Sequence, residues 1–478
     1  MTGTDSPVTG GAASEAKWQV LGTALHAPAR GQIEVLEDAL ISVDAAGRIA
    51  AIKTPAHPAY TTALARADAG QTLTRLSASE YLLPGFIDLH VHAPQWVQAG
   101  VGLDLSLADW LQRRTFPLES RFVDLSFAAS VYASLVEALL ANGTTTAMLF
   151  ATNHLVSTQQ LAAVCAERGL RALVGRVAMD EPNLCPEYYR DSSAQAALEA
   201  DLAFLESQRS RPEFAEQRVL PVLTPRFVPS CTETLLRGMG DLASRYGCHV
   251  QTHCSESDWE HQFVIDRFGR EDALVLDEFG LLGPRTVLAH GVFLGASALE
   301  LIAARGSGVA HCPMANFYFC NAVFAVRRAW EHGVGVGLGT DISGGAHPSI
   351  LSAAQHAILA SLALDQGVDA RRAAAERGVR GCAIDFKEAF WMATRGAAEV
   401  LRLPIGKFAE GLFFDANVLD VCVVESNLRV WPEYDQPQDI LQKAIYNGCR
   451  SNLTRQWIHG RPTKLGKGKS NPLRVDKL

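Results

Sequence analysis

Between Trp18 and Ala51 short apolar runs are broken by Gly and Asp, and the stretch Ala39–Ile52 sets two such runs on either side of Ala45-Ala-Gly47. That spacing predicts two strands joined by a turn. From Tyr81 the texture changes to buried apolar runs that end in polar residues, each followed by an Ala-, Leu- and Glu-rich amphipathic stretch. The runs Leu83–Leu89, Thr145–Phe150, Arg171–Met179, Val219–Thr224, His249–His253, Thr286–His290, Gly308–His311 and Val334–Leu338 read as strands. Phe127–Ala141, Ser157–Arg168 and Thr232–Arg245 read as helices between them. Eight such units predict an α/β chain folded as a (β/α)8 TIM-like barrel. After about Leu403 the β texture returns, in Leu412–Val421 and Trp457–Gly460, so the two chain ends are expected to pair into a small flanking β-sandwich. The resulting domain plan is a flexible segment at 1–16, a composite sandwich from 17–82 and 404–463, the barrel at 83–403 and a flexible tail at 464–478.

Composition narrows the class. Of 478 residues 48% are hydrophobic and 20% charged, which is too apolar for a disordered chain. No window reaches the roughly 18 uninterrupted apolar residues of a spanning helix. The net charge of −8 comes without a basic block, so neither nucleic acid nor a membrane surface is an expected partner. Ten cysteines stand singly, without a Cys-x-x-Cys pair, which spells neither a disulfide framework nor a thiolate zinc site. The start of the chain lacks the basic and apolar stretches of a signal peptide, and cytoplasmic localisation is expected. Asp476-Lys477-Leu478 ends like a peroxisomal address but carries Asp where a small residue belongs.

The chemistry gathers at strand ends. Pro84-Gly-Phe-Ile-Asp-Leu-His90-Val-His92 closes a strand in two histidines one residue apart, and alternate positions on a strand share a face. Both imidazoles therefore point into the barrel mouth, as two ligands of one metal require. Three further strand ends carry metal-compatible groups, His253, His290 and Asp341, and active sites of such barrels lie at that end. Four ligand-type residues plus a water suit zinc or ferrous iron, which would lower the pKa of that water towards 7. Glu256, three residues past His253, stands where a carboxylate could move protons between water and leaving group. The run Gly333-Val-Gly-Val-Gly-Leu-Gly339 lacks nucleotide-loop spacing and reads as a tightly packed strand.

These residues resemble the amidohydrolase superfamily, over nearly the whole chain. The absence of a metal-bridging lysine in Val219-Leu-Pro-Val-Leu-Thr224 resembles its mononuclear deaminase branch. His92-Ala-Pro-Gln95, Asp109-Trp-Leu, Thr115-Phe-Pro117, Asn142-Gly-Thr-Thr-Thr146, Phe150-Ala-Thr152, Pro225-Arg-Phe227 and His311-Cys-Pro313 resemble the guanine deaminases within that branch. The resemblance implies His90, His92, His253 and Asp341 as metal ligands, with one Zn2+ per subunit and Fe2+ as the other candidate. It implies Glu256 as proton shuttle, and catalytic roles for His290, beside the attacking water, and for Asp341. Gln95, Arg226 and Phe227 would bind the purine, in a pocket completed by His92, His253, Glu256 and Asp341. An amide and a guanidinium suit the polar edge of the base, while stacking on the phenyl is worth about 1–3 kcal/mol.

The implied reaction is hydrolytic deamination of guanine to xanthine and ammonia by attack of a metal-activated hydroxide at C2, with a purine base and water as partners and a homodimer as the assembly. The stretch Met314-Ala-Asn-Phe-Tyr-Phe-Cys-Asn-Ala-Val-Phe324 departs from the pattern and is expected to lie over the pocket as an aromatic loop. Met179–Tyr189 is a candidate lid. Two alternatives stand beside this reading: the same chemistry on 8-oxoguanine, isocytosine, ammeline or a pterin, or a metal-free scaffold protein.

Overall fold

The computed structural model describes residues 16–464. The expected terminal segments 1–16 and 464–478 lie outside these, apart from Lys464 and from Ala16, which already opens a strand.

Eight parallel strands run in sequence order around a barrel: β1 Phe86–His92, β2 Thr144–Phe150, β3 Arg171–Ala178, β4 Val219–Pro225, β5 His249–Cys254, β6 Thr286–His290, β7 Gly308–His311 and β8 Gly335–Leu338. All but one of their residues are buried, which is why they read as near-continuous apolar runs rather than alternating ones. The last strand meets the first just above β8, where Asp341 N–H donates to His90 O at 2.8 Å and His92 N–H donates to Ile342 O at 2.7 Å. Asp88 reinforces this seam by accepting from Thr340 N at 2.9 Å and Thr340 Oγ1 at 2.5 Å. The Gly-rich run is a packed strand because β1 crowds it: a Cβ at Gly339 would lie 2.9 Å from His90 Cβ and 2.8 Å from Cys312 Sγ.

The expected strand Leu83–Leu89 is in fact two. Leu83 and Pro84 end a strand of the flanking sheet, Glu80–Pro84, and the barrel begins at Phe86. Gly85 separates them because a Cβ there would meet Thr145 Oγ1 at 2.0 Å. The flanking element draws on both chain ends, as expected. Strands Ala16–His26, Glu34–Asp44 and Ile49–Lys53 join Glu80–Pro84, Ala416–Asp420, Leu453–Ile458 and Arg461–Pro462, with Leu73–Arg75 beside the first. They form one hydrogen-bonded sheet around a core that includes Val20, Ile41, Phe414 and Trp457. Between its last strands the chain leaves β structure for a helix, Pro437–Asn447, whose Ile440, Leu441, Ala444 and Ile445 join the main core.

One ion pair locks the sheet to the barrel. Arg171 at the start of β3 donates to both oxygens of Asp415, at 3.0 and 3.1 Å, and Asp415 also accepts from His459 N–H. Both side chains are almost fully buried. Removing one partner strands the other's charge, so Arg171→Met is expected to cost roughly 3–5 kcal/mol. Denaturant unfolding checks this, and a loss under about 1 kcal/mol would show that the pair is not structural.

Candidate active site

Each proposed ligand, and His290 beside them, is delivered by the C-terminal end of a barrel strand. His90 and His92 come from β1, His253 from β5, His290 from β6, and Asp341 from three residues past β8. His290 and Asp341 lie in the left-handed region, with φ of 74° and 50°, as does Ser255 at 53°. Non-glycine residues tolerate this only where surrounding structure holds them. For Ser255 the hold is Asp272, which accepts from its N–H at 2.7 Å and its hydroxyl at 2.8 Å.

The five side chains converge. His90 Nε2 lies 3.2 Å and His92 Nε2 3.6 Å from Asp341 Oδ1. His290 Nε2 lies 3.9 Å from Asp341 Oδ2 and 3.6 Å from Glu256 Oε1. His253 donates its Nδ1–H to the Arg226 carbonyl at 2.6 Å, which leaves its Nε2 lone pair 2.9 Å from His92 Nε2. His290 is fixed in the same tautomer by Nδ1–H donation to Asn316 Oδ1 at 3.0 Å. The Nε2 atoms of His90 and His290 are buried without hydrogen-bond partners. Orphaned imidazole nitrogens are costly in a buried site, and a cation among them would satisfy them. Three overlapping groups here have the spacing of metal ligands: His90, His92 and Asp341; His90, His253 and His290; and Glu256, His290 and Asp341. The donor set fits a divalent ion.

Electrostatics agree. Burial, reinforced by neighbouring cationic groups, holds His90, His92 and His253 well below the usual imidazole value, so they remain neutral ligands. Burial pushes Asp341 up to about 7, against the pull of His290 and Arg226. Glu256 is raised well above an ordinary carboxyl, first by burial and then by the charge of Asp341.

Beside the cluster opens a small pocket, whose polar lining is His92, Gln95, Arg226, His253, Glu256 and Asp341. Phe227 forms part of one wall, and Leu107, Trp110, Leu111 and Phe319 supply further apolar surface. The expected loop at 314–324 begins as a short helix, Pro313–Phe319. It does reach the pocket, through Phe319, and it carries the Asn316 that orients His290. Of the candidate lid, Met179, Cys185 and Tyr189 are buried in the same apolar cluster as Trp110, Phe116 and Phe227.

All of the residues picked from the sequence therefore meet in one place, and three that were not picked join them. Phe150, at the end of β2, packs against His90, His92 and His253 with ring centroids 4.7–4.9 Å away. Asn316 is the second. The third is Glu119, fully buried, which binds Arg226 through both guanidinium nitrogens, at 2.6 and 3.2 Å, and Gln95 Nε2 at 2.9 Å. Its one sequence signal is an acid in the otherwise uncharged run Thr115-Phe-Pro-Leu-Glu119.

The fold and this donor set define a metal-dependent hydrolase barrel, and the chain belongs to the amidohydrolase family, which it matches over residues 81–462. Guanine deaminases are among its relatives there. It is 36% identical over 456 residues to a probable guanine deaminase of Schizosaccharomyces pombe, covering 92% of this chain and 82% of the relative. It is 33% identical to the guanine deaminase of Homo sapiens, over 92% and 95% of the two chains. Among solved structures, guanine deaminase from C. acetobutylicum with bound guanine superposes with a TM-score of 0.83 at 29% identity, covering 94% of this chain and all of that one.

Outer partners of metal-site histidines are worth roughly 10–100-fold in metal affinity or activity. Asn316→Leu, which releases His290 beside the attacking water, is accordingly expected to lower turnover by that factor with metal binding and fold intact, as read by steady-state kinetics, metal titration and circular dichroism. Unchanged turnover would mean that Asn316 only fills space.

Proposed function

We infer that the protein hydrolyses guanine to xanthine and ammonia. The observation that carries this is the joining, in one pocket, of a His/Asp cation site to Gln95, Arg226 and Phe227, in a chain with guanine deaminases among its relatives. His90, His92, His253 and Asp341 would hold the ion. Zinc fits three imidazoles and one carboxylate, and ferrous iron accepts the same set. When bound, the ion supplies Lewis acidity that brings the pKa of a coordinated water towards neutrality.

The residues do the rest. Water adds its oxygen at C2 while Glu256 accepts a proton and passes it to the neighbouring ring nitrogen. A second transfer through Glu256 reaches the exocyclic nitrogen, which leaves as ammonia. The raised affinity of the Glu256 carboxyl for protons suits a group that must both take and give one. Its Oε1 lies 3.6 Å from His290 Nε2, so a water between the cluster and the base would touch both. His290, held by Asn316, and Asp341 would steady that water's hydrogens. Arg226 and Gln95 would read the polar edge of the base, and Phe227 would cover its face. All ten cysteines are free thiols, which suits a cytoplasmic setting. The homodimer rests on the resemblance.

Glu256→Gln keeps the side-chain shape and removes the shuttle. It is expected to retain bound metal and to lose on the order of 10²–10⁴-fold in kcat for guanine. Near-normal turnover would remove Glu256 from the mechanism. Stripping metal with a chelator should abolish ammonia release, and adding back Zn2+ should restore it; activity that survives complete metal removal would contradict the proposal.

A further inference from the structure

Arg226 and Gln95 both line the cavity, yet neither faces it free. The Arg226 guanidinium is buried and its two terminal nitrogens are bound by Glu119, at 2.6 and 3.2 Å, with the Phe116 ring 5.1 Å from its centre. Gln95 is held at both ends: its amide nitrogen donates to Glu119 at 2.9 Å, and its oxygen accepts from Ser343 N–H at 3.2 Å. Glu119 itself is fully buried and does not line the cavity. Close against it lies the equally buried hydroxyl of Tyr189.

This arrangement fixes charge and polarity together. An unpaired guanidinium at the end of a dry pocket would be a strong anion receptor, since it presents donors in a rigid fork. With Glu119 beside it, that end of the pocket is neutral and offers directed hydrogen bonds in place of net charge. We propose that Glu119 is the specificity-determining residue of the base-reading end: by cancelling the charge of Arg226 and locking the amide of Gln95, it makes the pocket select a neutral, hydrogen-bonding heterocycle over an anionic one. The proposal rests on the purine-binding reading above and deepens it. Loss of the amine by hydrolysis leaves an extra ring carbonyl and a more acidic N–H, so the same neutrality would avoid holding the anionic form of the product.

The test is equilibrium binding by calorimetry to the metal-loaded protein at neutral pH, with two oxopurines that lack a 2-amino group: hypoxanthine, which is neutral, and urate, which is a monoanion. Glu119→Gln should improve urate binding relative to hypoxanthine by about tenfold or more over wild type. Because this variant leaves a cation buried alone and could fail to fold, the double variant Glu119→Gln/Arg226→Gln provides a neutral pair of similar shape. Its urate-to-hypoxanthine ratio should stay within about threefold of wild type, whereas Arg226→Gln alone, which leaves Glu119 unpaired, should shift the ratio about tenfold or more against urate. Ratios that do not follow the charge in this order would overturn the proposal. Guanine turnover by wild type is scored separately, so a pocket that obeys these ratios without deaminating guanine would refute the proposed reaction and leave the role of Glu119 standing.

Discussion

Everything at the barrel mouth depends on one constraint: three neutral imidazoles and a carboxylate are held out of water with their donor atoms aimed at one another. Left alone, such a cluster is destabilising, since the buried Nε2 atoms of His90 and His290 have no hydrogen-bond partner. A divalent ion turns the same arrangement into a gain, and its binding adds directly to the stability of the folded state. The seam between β1 and β8 follows from this, because His90 and Asp341 must be brought together from 251 positions apart along the chain. Their backbones are joined directly, and Asp88 and Thr340 brace the join from behind.

Around the ion site the protein spends its strain and its buried charge. Three non-glycine residues with positive φ, Ser255, His290 and Asp341, stand where the backbone turns out of barrel strands into the site. Each is held by bonds whose partners lie elsewhere in the chain, such as Asp272 for Ser255 and Asn316 for His290. The second buried assembly, Glu119 with Arg226 and Gln95, stands at the base-binding side of the same cavity. One side of the pocket thus handles water and protons while the other handles recognition.

How much of this was legible in the sequence depends on the range of the signal. The barrel strands were readable because burial on both faces writes a local apolar run, and most observed ends lie within one or two residues of the expected ones. The strand-end ligands were readable because position at a strand terminus is itself a functional cue. Phe150, Asn316 and Glu119 were not, since each acts through a contact whose partner is distant: Glu119 is 107 positions from Arg226. The one local signal, an acid closing the uncharged run Thr115-Phe-Pro-Leu, is too weak to set it apart from a solvent-facing one. The break at Gly85 escaped for a similar reason, because the atom that forbids a side chain there belongs to Thr145.

That this ion site and this pocket act together on one base is tested most directly by product analysis with guanine, with 8-oxoguanine, isocytosine, ammeline and a pterin alongside, and with bound metal quantified on the same sample. Expected are about one divalent ion per chain, guanine as the preferred substrate, and xanthine and ammonia in equal amounts. Stoichiometric metal with guanine left intact would contradict it.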